Sequence, residues 1–144
     1  MIYYLIYANI FDAATENLVG FLPSSLPSER LMIRLDSSIS GTLQVEMVDG
    51  STTSGFITTS ITKTNLRDRW AHIAFVRQGT SFKLYVDGTL AGSVTYSASF
   101  AIQSTLTIGK LPGGGNYYRG HIDELRISDS AVYTANFTPP TSPF

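Results

Sequence analysis

Hydrolysis of a glycosidic bond needs two carboxyl groups converging about 5–9.5 Å apart on one sugar, so the acidic residues are where catalysis would begin. Asp123 and Glu124 are adjacent in an apolar run, which points them to opposite faces of a regular strand. Glu46 and Asp49 stand three apart, across the start of a turn. Neither spacing presents a carboxylate pair to one substrate, and a glycoside hydrolase is not expected. The histidines are His72 and His121. His72 lies inside the run Trp70-Ala-His-Ile-Ala-Phe-Val-Arg77, apolar on both faces, and reads as a core imidazole. His121 follows Gly120 where the last apolar run begins and is expected near the surface. No serine stands in a Gly-x-Ser-x-Gly elbow. The absence of cysteine removes disulfides, thiol catalysis and thiolate metal sites. No catalytic residue is assigned.

Binding chemistry is better represented. The stretch Pro112-Gly-Gly-Gly-Asn-Tyr-Tyr118 has consecutive glycines without the Lys-Ser/Thr ending of a phosphate loop. One reading is a flexible connection between strands. The other is a binding loop, with Asn116 for amide hydrogen bonds, Tyr117 or Tyr118 for stacking on a sugar, and Arg119 as a charged donor. A calcium site would need several oxygens from neighbouring loops. Asp36, Asp49, Asp87 and Asp123 stand near strand ends, but aspartates at turns commonly bind their own backbone, and no calcium-loop spacing is present. The metal assignment is left open.

The elements that would hold these residues are short apolar runs separated by Gly, Pro, Ser, Asn or Asp. Strands are expected over residues 18–21, 31–35, 42–48, 56–61, 70–76, 82–86, 89–96, 105–109 and 118–127, a spacing typical of a sandwich or barrel. Residues 1–11, rich in Tyr and Ile, form a further candidate strand. Only 12–18 and 129–135 suggest short helices. Residues 70–76 are apolar on both faces and should lie centrally in a sheet. Asp87-Gly88, between two alternating runs, signals a type I′ hairpin, because both central positions need positive φ. Ile122, Leu125 and Ile127 cannot share one face of a regular strand, so a β-bulge is expected near Asp123 and Glu124. Trp70, Phe75, Phe82, Leu84, Val86, Leu106, Ile108 and Leu125 are the expected core.

Length and charge narrow the function further. The 144 residues fit one domain, 1–144. Ten basic against eleven acidic residues give a net charge of −1, too little field to hold a polyanion, and nucleic acid is not an expected partner. The apolar opening stops at Asp12 with no Lys or Arg before Arg30. It is too short to span a bilayer and lacks the positive start of a secretion signal, so membrane insertion is not expected either.

Five segments in order, Trp70-Ala-His-Ile-Ala-Phe-Val-Arg77, Leu84-Tyr-Val-Asp-Gly88, Leu106-Thr-Ile-Gly109, Gly120-His-Ile-Asp-Glu-Leu-Arg-Ile-Ser128 and Ala131-Val-Tyr-Thr-Ala-Asn-Phe-Thr-Pro-Pro140, carry a family likeness. Over them the chain resembles the laminin-G-like (concanavalin-type lectin/glucanase) superfamily, and in particular its branch in phage and bacterial surface proteins. The resemblance implies a jelly-roll sandwich of two antiparallel sheets that lacks enzymatic activity and recognises glycans or proteins. No cofactor is implied beyond the calcium ion that some members hold at the rim. Residues 1–11 then stand for the strand that normally reads Thr-Ile-Glu-Phe-Trp. On that reading the family's usual first strand is missing and an edge is left unpaired, which favours association.

The resemblance gives two expectations of function. The first is a non-enzymatic virion subunit, a capsid decoration or tail-associated protein. It would contact other virion proteins or identical copies of itself and be extracellular once assembled. The second is a lectin-like module for cell-surface polysaccharide, with Asn116, Tyr117, Tyr118 and Arg119 as its ligand-binding residues.

Overall fold

A computed structural model describes residues 1–8, 14–22, 29–37, 41–49, 54–97, 105–111 and 115–141. Over these residues the chain forms strands β1 (Ile2–Ala8), β2 (Glu16–Leu22), β3 (Arg30–Leu35), β4 (Thr42–Val48), β5 (Ser54–Thr62), β6 (Trp70–Gln78), β7 (Ser81–Val86), β8 (Thr89–Thr95), β9 (Thr105–Ile108) and β10 (Gly120–Ile127). One short helix, α1 (Lys63–Leu66), interrupts them. Two five-stranded sheets result, ordered β10-β1-β6-β7-β8 and β5-β4-β3-β2-β9, with every strand pair antiparallel. Of the sandwich or barrel that the spacing of the runs left open, this is the sandwich, as the family resemblance implied.

The interlayer is built by period-two alternation. Ala71, Ile73 and Phe75 of β6 join Phe82, Leu84 and Val86 of β7 on one inner face. Leu31, Ile33 and Leu35 of β3 and Leu43, Val45 and Met47 of β4 fill the other. The Phe75 and Phe82 rings stack with centroids 6.0 Å apart. As its composition foretold, β6 is the middle strand of its sheet. Its outward residues His72, Ala74 and Val76 are buried as well, beneath a strap formed by residues 128–141.

The strap is fastened at several points. Tyr133 and Phe137 stack face to face at 3.6 Å, and Phe137 meets His72 and Tyr85 edge-on at 5.5 and 5.6 Å. The ammonium of Lys83 donates to the Thr134 carbonyl at 2.9 Å, and the Leu90 amide donates to Asn136 Oδ1 at 3.0 Å. The Phe137 amide donates to the Gly88 carbonyl at 2.9 Å. Asp87 and Gly88 form the expected turn, with φ of 50° and 77°. Gly88 is doubly constrained, since a Cβ there would lie 1.8 Å from the Phe137 carbonyl oxygen.

The bulge is also present. Between Tyr3 and Leu5 the partner residue on β10 steps from Arg126 to Asp123. Glu124 takes φ of 52°, and its amide donates to Asp123 Oδ1 at 2.8 Å.

Other expectations are corrected. Residues 16–18 are strand rather than helix, because Leu18 and Val19 are needed in the core. Residues 12 and 13 lie outside the described residues. Residues 129–135 run without helix, committed to covering β6 and β7. Trp70, Leu106 and Ile108 are not core: they are 46%, 36% and 46% exposed, Trp70 at the first position of β6 and the other two on an edge strand. Leu125 is half-buried against the core. The opening strand β1 is an interior strand of its sheet, bonded to β10 on one side and β6 on the other. The sheet edges fall at β10, β8, β5 and β9.

Two stability measurements follow from this burial. Phe75→Ala should cost roughly 3–5 kcal/mol in denaturant titration, and Trp70→Ala less than about 1 kcal/mol. Burial pushes the His72 pKa below its ordinary 6.5, opposed in part by Asp87. Between the folded and unfolded pKa values the unfolded chain binds the extra proton, so stability should fall as pH drops below about 6.5 and level off below the folded pKa. Urea midpoints between pH 7.5 and 4.5 should show that decline, and His72→Gln should flatten it.

Candidate functional site

One end of the sandwich gathers the chemistry that the strands leave unused. The register sets Ala8 beside Gly120 and Tyr7 beside both His121 and Trp70. A bridge joins Ala8 to Arg67, and the Asp68 amide donates to the Ala8 carbonyl at 3.0 Å. The ends of β1, the starts of β2, β6 and β10, helix α1 and the loop before β10 therefore converge.

Beneath this rim lies a buried ion pair. Lys63 Nζ is 3.3 Å from Glu16 Oε1, with both side chains almost wholly removed from solvent. The ammonium also donates to the Ala14 carbonyl at 2.7 Å. Lys63 is placed by α1, a single turn closed by a capping box. The Asn65 amide donates to Thr62 Oγ1 at 3.3 Å, and the Thr62 amide donates to Asn65 Oδ1 at 2.8 Å. The second oxygen of Glu16 accepts the Arg119 amide at 3.1 Å. Next to it the Asn17 amide donates to the Asn116 carbonyl at 3.0 Å, and the Tyr118 amide donates to the Gly109 carbonyl at 2.8 Å. The loop before β10 is thus held from below by a desolvated carboxylate.

The sequence-predicted residues take distinct places on this loop. Asn116 is exposed, in a left-handed conformation with φ of 49° after Gly115 at 85°. Tyr117 is 61% exposed. Arg119 is exposed, its backbone bound to Glu16. Tyr118 differs: its ring is half-buried against the core, and a Cβ on Gly120 would lie 2.9 Å from its hydroxyl. Burial and the nearby Glu16 carboxylate push the Tyr118 phenol well above its ordinary pKa of 10. Asn116, Tyr117 and Arg119 are each exposed, while Tyr118 seats the loop. Pro112, Gly113 and Gly114 lie outside the described residues.

Sequence reasoning missed Glu16 and Lys63, and it placed Trp70 in the interior. A Thr-x-x-Asn capping pattern ahead of Leu66 was the available signal for α1. For Trp70, the period-two pattern identified the face but not that the end of the strand stays open.

Of the aspartates considered for calcium, Asp36 and Asp123 each accept the amide that follows them, whereas Asp87 bonds the neighbouring strand. Asp36 Oδ1 accepts the Ser37 amide at 2.8 Å, and Asp87 Oδ1 accepts the His72 amide at 2.9 Å. Among the described residues no group of three His, Asp or Glu side chains is placed to hold a metal ion, and no helix is long and apolar enough to cross a membrane.

Removing one partner of a buried ion pair strands the other, at a typical cost of about 3–5 kcal/mol. Lys63→Met should show that loss in denaturant titration, together with faster hydrogen exchange at the Arg119 amide. Unchanged exchange there would mean that the loop is held by other contacts.

Comparison with known proteins adds a family to this geometry. The profile of the concanavalin A-like lectin/glucanases superfamily matches residues 8–136. Among solved structures, the heptameric SAP-like pentraxin from Limulus polyphemus aligns with TM-score 0.62 and 18% identity over 91% of this chain, which spans 64% of that chain. The CBM40 module of the Ruminococcus gnavus IT-sialidase aligns with TM-score 0.64 and 12% identity, covering 89% of this chain and 77% of its own. Domains LG4-5 of the mouse laminin alpha1 chain give TM-score 0.67 and 14% identity over 96% of this chain and 38% of theirs. At such identities the likeness is one of fold. No curated protein matches by sequence. With the profile matching residues 8–136, most of its length, the chain belongs to the concanavalin A-like lectin/glucanase superfamily.

Proposed function

We propose that this chain is a non-enzymatic carbohydrate-recognition module whose ligand sits on the rim carrying Asn116, Tyr117 and Arg119. The observation that carries the reading is Tyr117, a large ring 61% exposed on a loop tied through its neighbours to buried Glu16. An exposed aromatic held on a fixed backbone offers a stacking surface at little ordering cost. Asn116 and Arg119 flank it with hydrogen-bonding groups. The CBM40 module that shares the fold has been solved with α2,3- and α2,6-sialyllactose, which makes glycans a natural ligand class to test.

The non-enzymatic part is supported by how acids are used. Glu46 bonds Arg30 and Arg34, Glu16 pairs with Lys63, Asp68 with Arg67, and Asp87 with Arg69. Carboxylates held this way are poorly placed to act as an acid and nucleophile couple.

A second reading is favoured by the surface of the sandwich. Leu106 and Ile108 on β9, Leu90 on β8 and Phe56 on β5 are all exposed, and all four stand on sheet edges. Apolar side chains along open edges suit packing into a larger assembly. Together with the resemblance of the five segments between Trp70 and Pro140 to a branch in phage and bacterial surface proteins, they support a capsid decoration or tail-associated subunit whose glycan adhesion is extracellular. The two readings are compatible.

A glycan array probed with and without EDTA tests the first reading. At least one polysaccharide class should be retained, with Tyr117→Ala weakening it at least tenfold and leaving the melting temperature unchanged. EDTA-sensitive retention would assign a calcium ion to the rim. Release of reducing sugar from a bound glycan would contradict the non-enzymatic assignment. Retention of no glycan would end the carbohydrate reading.

A further inference from the structure

The outer face of β6 is covered along most of its length. His72, Ala74 and Val76 lie under the strap, whereas Trp70, on the same face, remains 46% exposed. This is the only tryptophan of the chain. Tryptophan carries the largest apolar surface of any side chain, so leaving one open at an otherwise sealed face calls for a physical reason.

Trp70 is not isolated. The register of three adjacent strands brings His121 of β10, Tyr7 of β1 and Trp70 of β6 into one row across the sheet. The Tyr7 and Trp70 rings meet edge to face, with centroids 5.5 Å apart and planes at 61°. His121 lies 6.2 Å from Tyr7 and 6.5 Å from Trp70. Edge-to-face contact fixes the indole against its neighbour, so the row is a shaped shelf. The three centroids form a triangle with sides of 5.5, 6.2 and 6.5 Å, a patch on the scale of one pyranose ring.

The charges around the shelf decide the ligand class. Arg69 Nη1 bonds Asp87 Oδ2 at 2.7 Å and the Trp70 carbonyl at 3.2 Å. Arg67 Nε bonds Asp68 Oδ2 at 3.1 Å. Each of these two cations is offset by its own carboxylate, leaving little net field on the Trp70 side of the row, while Arg119 stands exposed on the loop beyond His121. Exposed ion pairs still present N–H donors and carboxylate acceptors, the partners that sugar hydroxyls need. Apolar ring faces with a charge-balanced, hydrogen-bonding margin fit a neutral pyranoside, whose C–H face packs on the rings while its hydroxyls reach the margin.

We propose that Tyr7, Trp70 and His121 form a stacking platform for neutral pyranosides of a polysaccharide chain. The inference rests on the carbohydrate-recognition reading and deepens it, placing a contact surface on the sheet face beside the rim loop. It also commits the module to neutral rather than sialylated or otherwise acidic glycans.

The lone tryptophan makes the test direct, since all indole fluorescence comes from this shelf. The full chain is titrated with neutral cellohexaose, maltohexaose and mannohexaose, with the neutral glycans retained on the array, and with α2,3-sialyllactose as the acidic comparison. Emission and calorimetry are recorded together. A neutral oligosaccharide should shift the emission to the blue and saturate. Trp70→Ala should weaken its binding at least tenfold at an unchanged melting temperature, and Trp70→Phe should restore most of it. His121→Ala should weaken it severalfold. A glycan that binds by calorimetry without moving the emission, and equally well to Trp70→Ala, would discard the shelf and leave carbohydrate recognition standing on Tyr117. Binding of acidic glycans alone would overturn the neutral specificity. If no glycan binds in any format, both readings fall together.

Discussion

The structure depends on a strand that must be sealed on both sides. Ala71, Ile73 and Phe75 face one way from β6 while His72, Ala74 and Val76 face the other, and all six are buried. Burying apolar surface contributes roughly 25 cal/mol per Å², so neither face can be left open without a substantial loss. One cover is the second sheet. The other is the strap of residues 128–141, whose Tyr133 and Phe137 form a stacked pair over His72 and Tyr85. The Asp87-Gly88 turn belongs to the same arrangement, because its tight backbone lets the strap approach at Gly88.

The ends of the sandwich inherit what the two covers leave. At the end carrying the loop before β10, Glu16 and Lys63 replace apolar packing with a desolvated ion pair. Such a pair rarely adds much stability over an apolar substitute, but it fixes geometry in a way that methyl groups do not. Here one carboxylate oxygen faces the ammonium and the other accepts the Arg119 amide, so backbone position is set by charge. The loop residues above it and the aromatic row of Tyr7, Trp70 and His121 beside it share this end of the molecule. A stiff scaffold, a loop pinned from beneath and an uncovered ring are the parts that a binding module requires.

Much of the fold was legible because alternation and turn chemistry are local. The central position of β6, the positive-φ pair Asp87 and Gly88 and the bulge at Glu124 each follow from a few neighbouring residues. What was hidden depends on partners far away in sequence. Leu106 and Ile108 have the composition of core residues, yet β9 sits at a sheet edge, which no local pattern reveals. Residues 129–135 look helical in isolation, but the uncovered face of β6 and β7 claims them. The candidate loop was legible as a glycine-rich, Tyr-bearing segment. That Tyr118 turns inward while Tyr117 stays out depends on Gly120 and Glu16, and Glu16 is 102 residues earlier than Tyr118. Trp70 was misplaced for the converse reason: its hydrophobicity was read as burial, although the strap stops short of it.

The account holds that one end of this sandwich is the ligand face and that the rest is scaffold. Amide and side-chain chemical shifts, mapped by NMR on the isotope-labelled chain as a retained oligosaccharide is added, test that division most directly. The account predicts saturating shifts confined to Tyr7, Trp70 and residues 116–121, with the strap and the β5 and β8 edges unmoved. Shifts centred on the strap or on those edges, with the rim silent, would contradict it.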